Sequence, residues 1–135
     1  MKTTQIGNLI WEIDSLGNLN FNNGDPIPMA MNLEEVLYYN EQNEPCCCYY
    51  DFNPDNKKYG LLYNWFAVSK STNGNKNICP KGWHIPTDLE WTILIDYLGD
   101  EPGYKMTQIT INHGDGADVN SSLFSGVLAG YLNWG

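Results

Sequence analysis

The chain has 135 residues, enough for one domain with a core of its own. Charged residues are 17%, apolar residues 42%, and the net charge is −9 with a pI near 4.3. That acidity excludes a phosphate backbone or an anionic membrane surface as a ligand, and no apolar run approaches the about 20 residues that insert across a membrane.

In chain order, Gly7-Asn8 and Gly17-Asn18 are turn dipeptides beside Leu9-Ile10-Trp11 and Leu19-Asn20-Phe21, so residues 4 to 21 read as short strands. Pro26 and Pro28 hold Ile27 extended. Asn32 is a good N-cap, and Glu34 and Glu35 would sit in the first turn of the helix it opens, where the helix dipole favours them. Leu33, Val36 and Leu37 form its apolar side, and it should end before Pro45. Cys46 to Phe52 is a β-type run, followed by a polar turn over residues 51 to 56. Gly60 to Val68 is apolar almost all round and reads as a short, deeply buried helix, with a strand as the alternative. Ser69 to Asn77 has the composition of a flexible surface loop.

The strongest local signal lies at Pro86 to Gly99. Thr87 and Glu90 match a capping box. Trp91, Leu94, Ile95 and Leu98 recur at helical spacing, and Gly99 supplies the stop. Beyond it, Tyr104 to Ile111 reads as a strand pair or an irregular segment, His113 to Asp118 as a loop, and Ser125 to Tyr131 as a strand. There is no repeat and no linker, so residues 1–135 form a single domain.

Cys46, Cys47 and Cys48 are consecutive and Cys79 is distant. The run lacks the C-x₂₋₄-C spacing of zinc sites. On a strand it would send Cys46 and Cys48 to one face and Cys47 to the other. A disulfide from the run to Cys79 and a set of buried, reduced thiols both remain open.

Other candidate chemistry is sparse. Asp51, Asn53 and Asp55 alternate like the first ligands of a calcium loop, but Asn56 and Leu62 stand where glycine and a bidentate glutamate are required. Without that acid the calcium-loop reading fails, and Asx turns account for the three residues. His113, Asp115 and Asp118 form a second polar cluster that a solvated loop explains. His84, between Trp83 and Ile85, reads as a core or capping histidine, since a general base needs a nucleophile or carboxylate in reach and the one suggested nearby, Asp88, should cap the helix. No cofactor is expected, calcium at Asp51, Asn53 and Asp55 being the alternative.

Tyrosine and tryptophan supply rigid contact area with a polar handle. Tyr38, Tyr39, Tyr49, Tyr50, Trp83, Tyr104, Tyr131 and Trp134 are the binding candidates. Tyr104, Tyr131 and Trp134 are the ones expected at the surface. Trp65, Trp83, Trp91 and Cys79 are expected in the core, beside the capping residues Thr87 and Glu90.

Several segments together carry a resemblance. They are Gly24 to Pro28, Cys48-Tyr49-Tyr50-Asp51, Lys58 to Val68, Ile78 to Trp91 and Gly126 to Tyr131. In that order and spacing they resemble the Fibrobacter succinogenes major paralogous (FISUMP) domain. The resemblance implies an α+β, C-type-lectin-like fold related to the formylglycine-generating enzymes. It implies two or three helices around a small, twisted, mostly antiparallel sheet. Pro86 to Trp91 is similar to the P-T-x-x-E-W signature of that superfamily. Two features depart from the family pattern: Glu12-Ile13-Asp14 follows Trp11, and the usual C-terminal segment is lacking. A shortened domain of this kind is expected to complete its sheet by strand addition from another chain.

The cysteine motif Cys79-Pro80-Lys81-Gly82-Trp83 does not match the active-site thiols of the formylglycine-generating enzymes, so no enzyme activity is expected. The expectation is a non-enzymatic structural or recognition module. Its setting would be a phage virion, as capsid decoration, fibre or tail tip, assembled in a host cytoplasm because Met1 to Gly7 carries no secretory apolar core. The alternative is a carbohydrate- or protein-binding adhesion module on a bacterial surface. Protein partners are expected, in a homo-oligomer or a larger assembly, with a glycan as a further ligand.

Overall fold

A computed structural model describes residues 1–107, 119–127 and 131–133. The chain is α+β and divides into two compact units, Met1–Ser15 with Pro86–Leu128, and Leu16–Ile85 with Ala129–Gly135.

The first unit begins with a hairpin. β1 (Thr3–Ile6) and β2 (Leu9–Glu12) pair antiparallel, Thr3 opposite Glu12 and Ile6 opposite Leu9. Only Gly7 and Asn8 make the turn. Gly7 has φ 61°, the left-handed backbone that the first position of a type II′ loop demands. Strand alternation then puts Ile6, Leu9 and Trp11 on the packed side and leaves Ile10 in water on the other.

A helix of the same unit, Asp88–Leu98, obeys its sequence signals. Thr87 Oγ1 accepts the Glu90 N–H at 3.3 Å, and the Glu90 carboxylate accepts the Thr87 N–H at 2.8 Å. Gly99 closes the helix at φ 65°. Its buried contribution is narrow: Leu94 and Leu98 join Ile6 and Trp11, with Leu9, Met106 and Phe124 packed around them. Trp91 stays 38% exposed and lays its ring 5.0 Å from that of Trp11, while Ile95 is 47% exposed. The expected four-residue stripe is therefore half core and half surface. Residues 102 to 106 then turn as a short helix, Pro102–Met106, which takes in the start of the Tyr104 to Ile111 stretch read as a strand pair or an irregular segment. Pro102 opens it, its missing N–H costing nothing in a first turn. Its carbonyls at Tyr104, Lys105 and Met106 accept the N–H groups of Asn120, Ser122 and Gly126 at 2.9, 3.0 and 2.7 Å.

The second unit is built around the cysteine run. In chain order it holds α1 (Leu33–Glu41), β3 (Cys47–Cys48), two 3-10 turns (Tyr50–Phe52 and Pro54–Tyr59), β4 (Leu62–Tyr63) and α2 (Trp65–Val68); the helices of the first unit then become α3 (Asp88–Leu98) and α4 (Pro102–Met106). Asn32 caps α1 through its side chain, which accepts the Glu35 N–H at 2.9 Å. Only Val36 of the expected α1 stripe is buried; Leu33 and Leu37 stay exposed. β3 pairs antiparallel with β4, Cys47 opposite Tyr63. On its other edge, Cys47 donates its N–H to the Pro28 carbonyl and accepts the N–H of Ala30, at 2.9 and 2.8 Å. The extended segment that Pro26 and Pro28 enforce therefore docks beside the run.

The alternation expected for the run is observed. Cys47 joins Phe21, Ile27, Ala67, Ile78 and Cys79 in one core, and Cys46 and Cys48 join Ala30 and Val36 in another. A strand buried on both faces needs no polar side, which is why three consecutive small apolar residues suit it. All four cysteines are buried free thiols, so the disulfide alternative does not hold.

Two expectations are corrected here. Among the described residues the strands form two separate two-stranded sheets, not one sheet, and four α-helices accompany them. Gly60 to Val68 is neither all helix nor all strand: β4 passes into α2 at Asn64. The segment is not deeply buried either, because Trp65 is 66% exposed while Ala67 is fully covered. Polarity drives the switch. Asn64 caps α2 and cannot both do that and extend the strand.

Candidate functional site

In the second unit, a cleft of about 210 Å³ opens onto the cysteine run, lined by Val36, Cys46, Cys48, Leu62, Asn64 and Tyr131 among others. Asn64 frames it and is 7% exposed. Its Oδ1 accepts the N–H groups of Cys46 and Ala67 at 3.0 and 3.1 Å, and its Nδ2 donates to Asn40 Oδ1 and the Glu44 carbonyl at 2.9 and 2.8 Å. Every polar lobe of that amide is occupied, so it serves as a structural hub.

The thiols here are not poised for chemistry. Burial pushes Cys46 up to about 11 and Cys47 up to about 12, each with a further push from neighbouring thiols. Burial raises Cys48 as well. The thiolate is the reactive form, and these sites suppress it at neutral pH.

Tyr131 sits on the rim of this cleft at 77% exposure, the surface position expected of it. Tyr104 lies on α4 and is half-buried, so it is not the surface residue that was anticipated. Trp134, His113, Asp115 and Asp118 lie outside the described residues. Tyr38 is 57% exposed and stands edge-on to the ring of Tyr39. Cys79 belongs to the core of the second unit, as expected, and Trp83 packs against that core while staying partly exposed. Trp65 does not: it is a solvent-facing ring.

Of Asp51, Asn53 and Asp55, Asn53 makes the Asx turn. Asn53 Oδ1 accepts the Asp55 N–H at 3.0 Å, an Asx turn that opens the 3-10 segment Pro54–Tyr59. Asp51 takes a left-handed φ of 54°, as aspartate tolerates in tight turns. The loop at 69 to 77 is also more ordered than its composition implies. Asn73 is 6% exposed, donates to the Ala67 carbonyl at 2.9 Å and accepts the Lys76 N–H at 2.8 Å.

The feature that sequence reasoning passed over is on α3, in the first unit. Leu89, Ile93 and Tyr97 recur at i, i+4 and i+8 and are 68%, 45% and 66% exposed. They form a second apolar stripe, turned away from the Leu94–Leu98 side. Tyr97 ends it by packing against the hairpin turn: a Cβ on Gly7 would come within 3.3 Å of its ring. Tyr97 also borders a shallow, polar groove of about 370 Å³ shared with Thr4, Lys105 and Ser122. The signal was legible, since α3 has only Asp88, Glu90, Thr92 and Asp96 as polar residues. Assigning one stripe to the core hid the other.

The observations define a small α+β module with apolar cores, protonated buried thiols along the cysteine run, and an apolar helix stripe left in solvent. The chain belongs to the Fibrobacter succinogenes major domain family, whose model matches residues 4–133, nearly its whole length. No curated protein and no solved structure matches it significantly. No helix among the described residues is long and apolar enough to cross a membrane.

Proposed function

We propose that the chain is a non-enzymatic structural and recognition module of lectin-like arrangement. The observation that carries this reading is the Leu89–Ile93–Tyr97 stripe on α3. Contiguous apolar surface on a soluble module marks a place where another surface docks. The α+β class of the chain agrees with the lectin-like arrangement that the resemblance to the FISUMP domain implies. The protonated thiols of Cys46, Cys47 and Cys48 weigh against a thiol-based enzyme.

The setting we propose is a virion, as capsid decoration, fibre or tail tip. An antibody against the chain should then label purified particles, and the chain should sediment with them. Recovery of the chain only in the free fraction, or turnover of a thiol peptide substrate by the purified protein, would defeat the proposal. A second reading, a glycan-binding adhesion module of a bacterial surface, is favoured by Trp65 and Tyr131, two exposed aromatic faces in the second unit. Binding to a glycan array that is lost in Trp65→Ala or Tyr131→Ala would select it.

A further inference from the structure

We infer that the α3 stripe is a docking site for a basic amphipathic segment of a partner protein. This deepens the recognition reading and rests on it. The argument is one of shape and charge together.

Leu89, Ile93 and Tyr97 stand one helical turn apart, so the stripe runs about 12 Å along α3. That length matches about two turns of a partner helix laid beside it, the helix-in-groove mode in which apolar residues at i, i+3 or i+4 and i+7 make the contact. The frame of the stripe has one sign. Asp88, Glu90 and Asp96 lie on α3, and Asp100 and Glu101 follow it. No lysine or arginine occurs between Lys81 and Lys105. Lys105 is itself engaged, donating from Nζ to the Leu98 carbonyl at 2.6 Å. The first unit as a whole holds nine acidic residues and two lysines, and the other of those lysines, Lys2, stands 3.8 Å from Asp14.

The last turn of α3 has Asp96 and no basic residue of its own, and the one cation at its end, Lys105, is held on the Leu98 carbonyl. A lysine- or arginine-bearing partner would meet acidic charge beside the stripe while covering the apolar side chains. A second copy of the chain would do the opposite, bringing the same carboxylates face to face. Nucleic acid and anionic lipid are excluded by the same sign.

The test uses fluorescence anisotropy with three labelled synthetic peptides: an amphipathic leucine–lysine helix, a scrambled peptide of the same composition, and the leucine–glutamate analogue. The intact chain should bind the first and neither of the others. A Leu89→Asn/Ile93→Asn double variant, with circular dichroism matching the wild type, should weaken that binding about tenfold or more. An Asp96→Asn/Asp100→Asn variant should keep the apolar contact but bind more weakly and lose much of the salt dependence. Equal binding of the scrambled peptide, or full affinity in the double apolar variant, would reduce the effect to unspecific attraction and overturn the inference. So would self-association of the wild type in sedimentation that Ile93→Asn abolishes; the stripe would then be an interface between copies, and the module would still be a binding one. The particle-sedimentation experiment is independent of all these outcomes, so the two proposals fail separately.

Discussion

The two units of this chain achieve order by different means. The first relies on regular elements with strong local signals: a two-residue hairpin turn, a capping box, a glycine stop. Its core is thin, with Ile6, Trp11, Leu94 and Leu98 buried, and it leaves much apolar helix surface in water. The second has little regular structure and two cores back to back across the cysteine run. There, asparagine side chains hold irregular backbone in place: Asn64 and Asn73 are buried, and Asn18 donates to the Ile78 carbonyl at 2.9 Å. The difference teaches that a loop-rich unit can be specified by satisfied buried amides, whereas a helix-and-hairpin unit can rest on strong local signals and leave apolar helix surface in water.

Substitutions can sharpen or break that contrast. The largest effect is expected at Leu94, 1% exposed at the centre of the thin core. Leu94→Ala should cost about 2–5 kcal/mol, because few neighbours are available to fill the cavity. Chemical denaturation measures it; a loss below half a kcal/mol would mean that the first unit does not depend on this core. Next comes Asn64→Ala, which strips a partner from the Cys46 N–H, the Asn40 amide oxygen and the Glu44 carbonyl, while the Ala67 N–H keeps the Asn64 backbone carbonyl. Stranding such groups costs about 1–3 kcal/mol. Asn64→Leu, close in size, should not rescue it; full rescue would show that the residue packs and does not organise hydrogen bonds.

Thr87→Ala removes one half of the capping box and should cost about 1 kcal/mol. Serine at the same position should restore most of the loss, and thermal melts of the three proteins would show whether the cap or the methyl group matters. The smallest effect belongs to Asp25. Hydrogen bonds from Lys76 at 2.8 Å and Asn23 at 3.0 Å, with the Lys76 charge, hold its carboxyl below the usual carboxylate range. The linkage sign follows: the stabilisation is present above the ordinary carboxylate pKa and fades as pH falls through the depressed value. The pair is exposed and screened by salt. The wild type should therefore melt slightly above Asp25→Asn at neutral pH and low salt, and the gap should close in acid; a gap that widens in acid would contradict the assignment.

Trp11 shows how packing can outrank polarity. Its indole N–H is buried and has no hydrogen-bond partner among the described residues, yet the ring touches Trp91 and Phe124. Such a group is costly to bury, and the aromatic contacts offset the loss.

The sequence by itself determined what depends on near neighbours along the chain. Thr87, Glu90 and Gly99 set the ends of α3, Asn32 started α1, Gly7-Asn8 turned the hairpin, and strand geometry split the three cysteines between two faces. Each is a matter of a few dihedral angles and one or two short-range hydrogen bonds. What only the tertiary structure decided is which apolar face would be covered. Leu94 and Leu98 are buried because Ile6 and Trp11, from the far end of the chain, reach that side of α3. Leu89 and Ile93 on α3, and Trp65 on α2, are as apolar but stay exposed, and Tyr97 is covered only in part, by the hairpin turn at Gly7. Helical periodicity names the faces of a helix; burial depends on residues that the period does not contain.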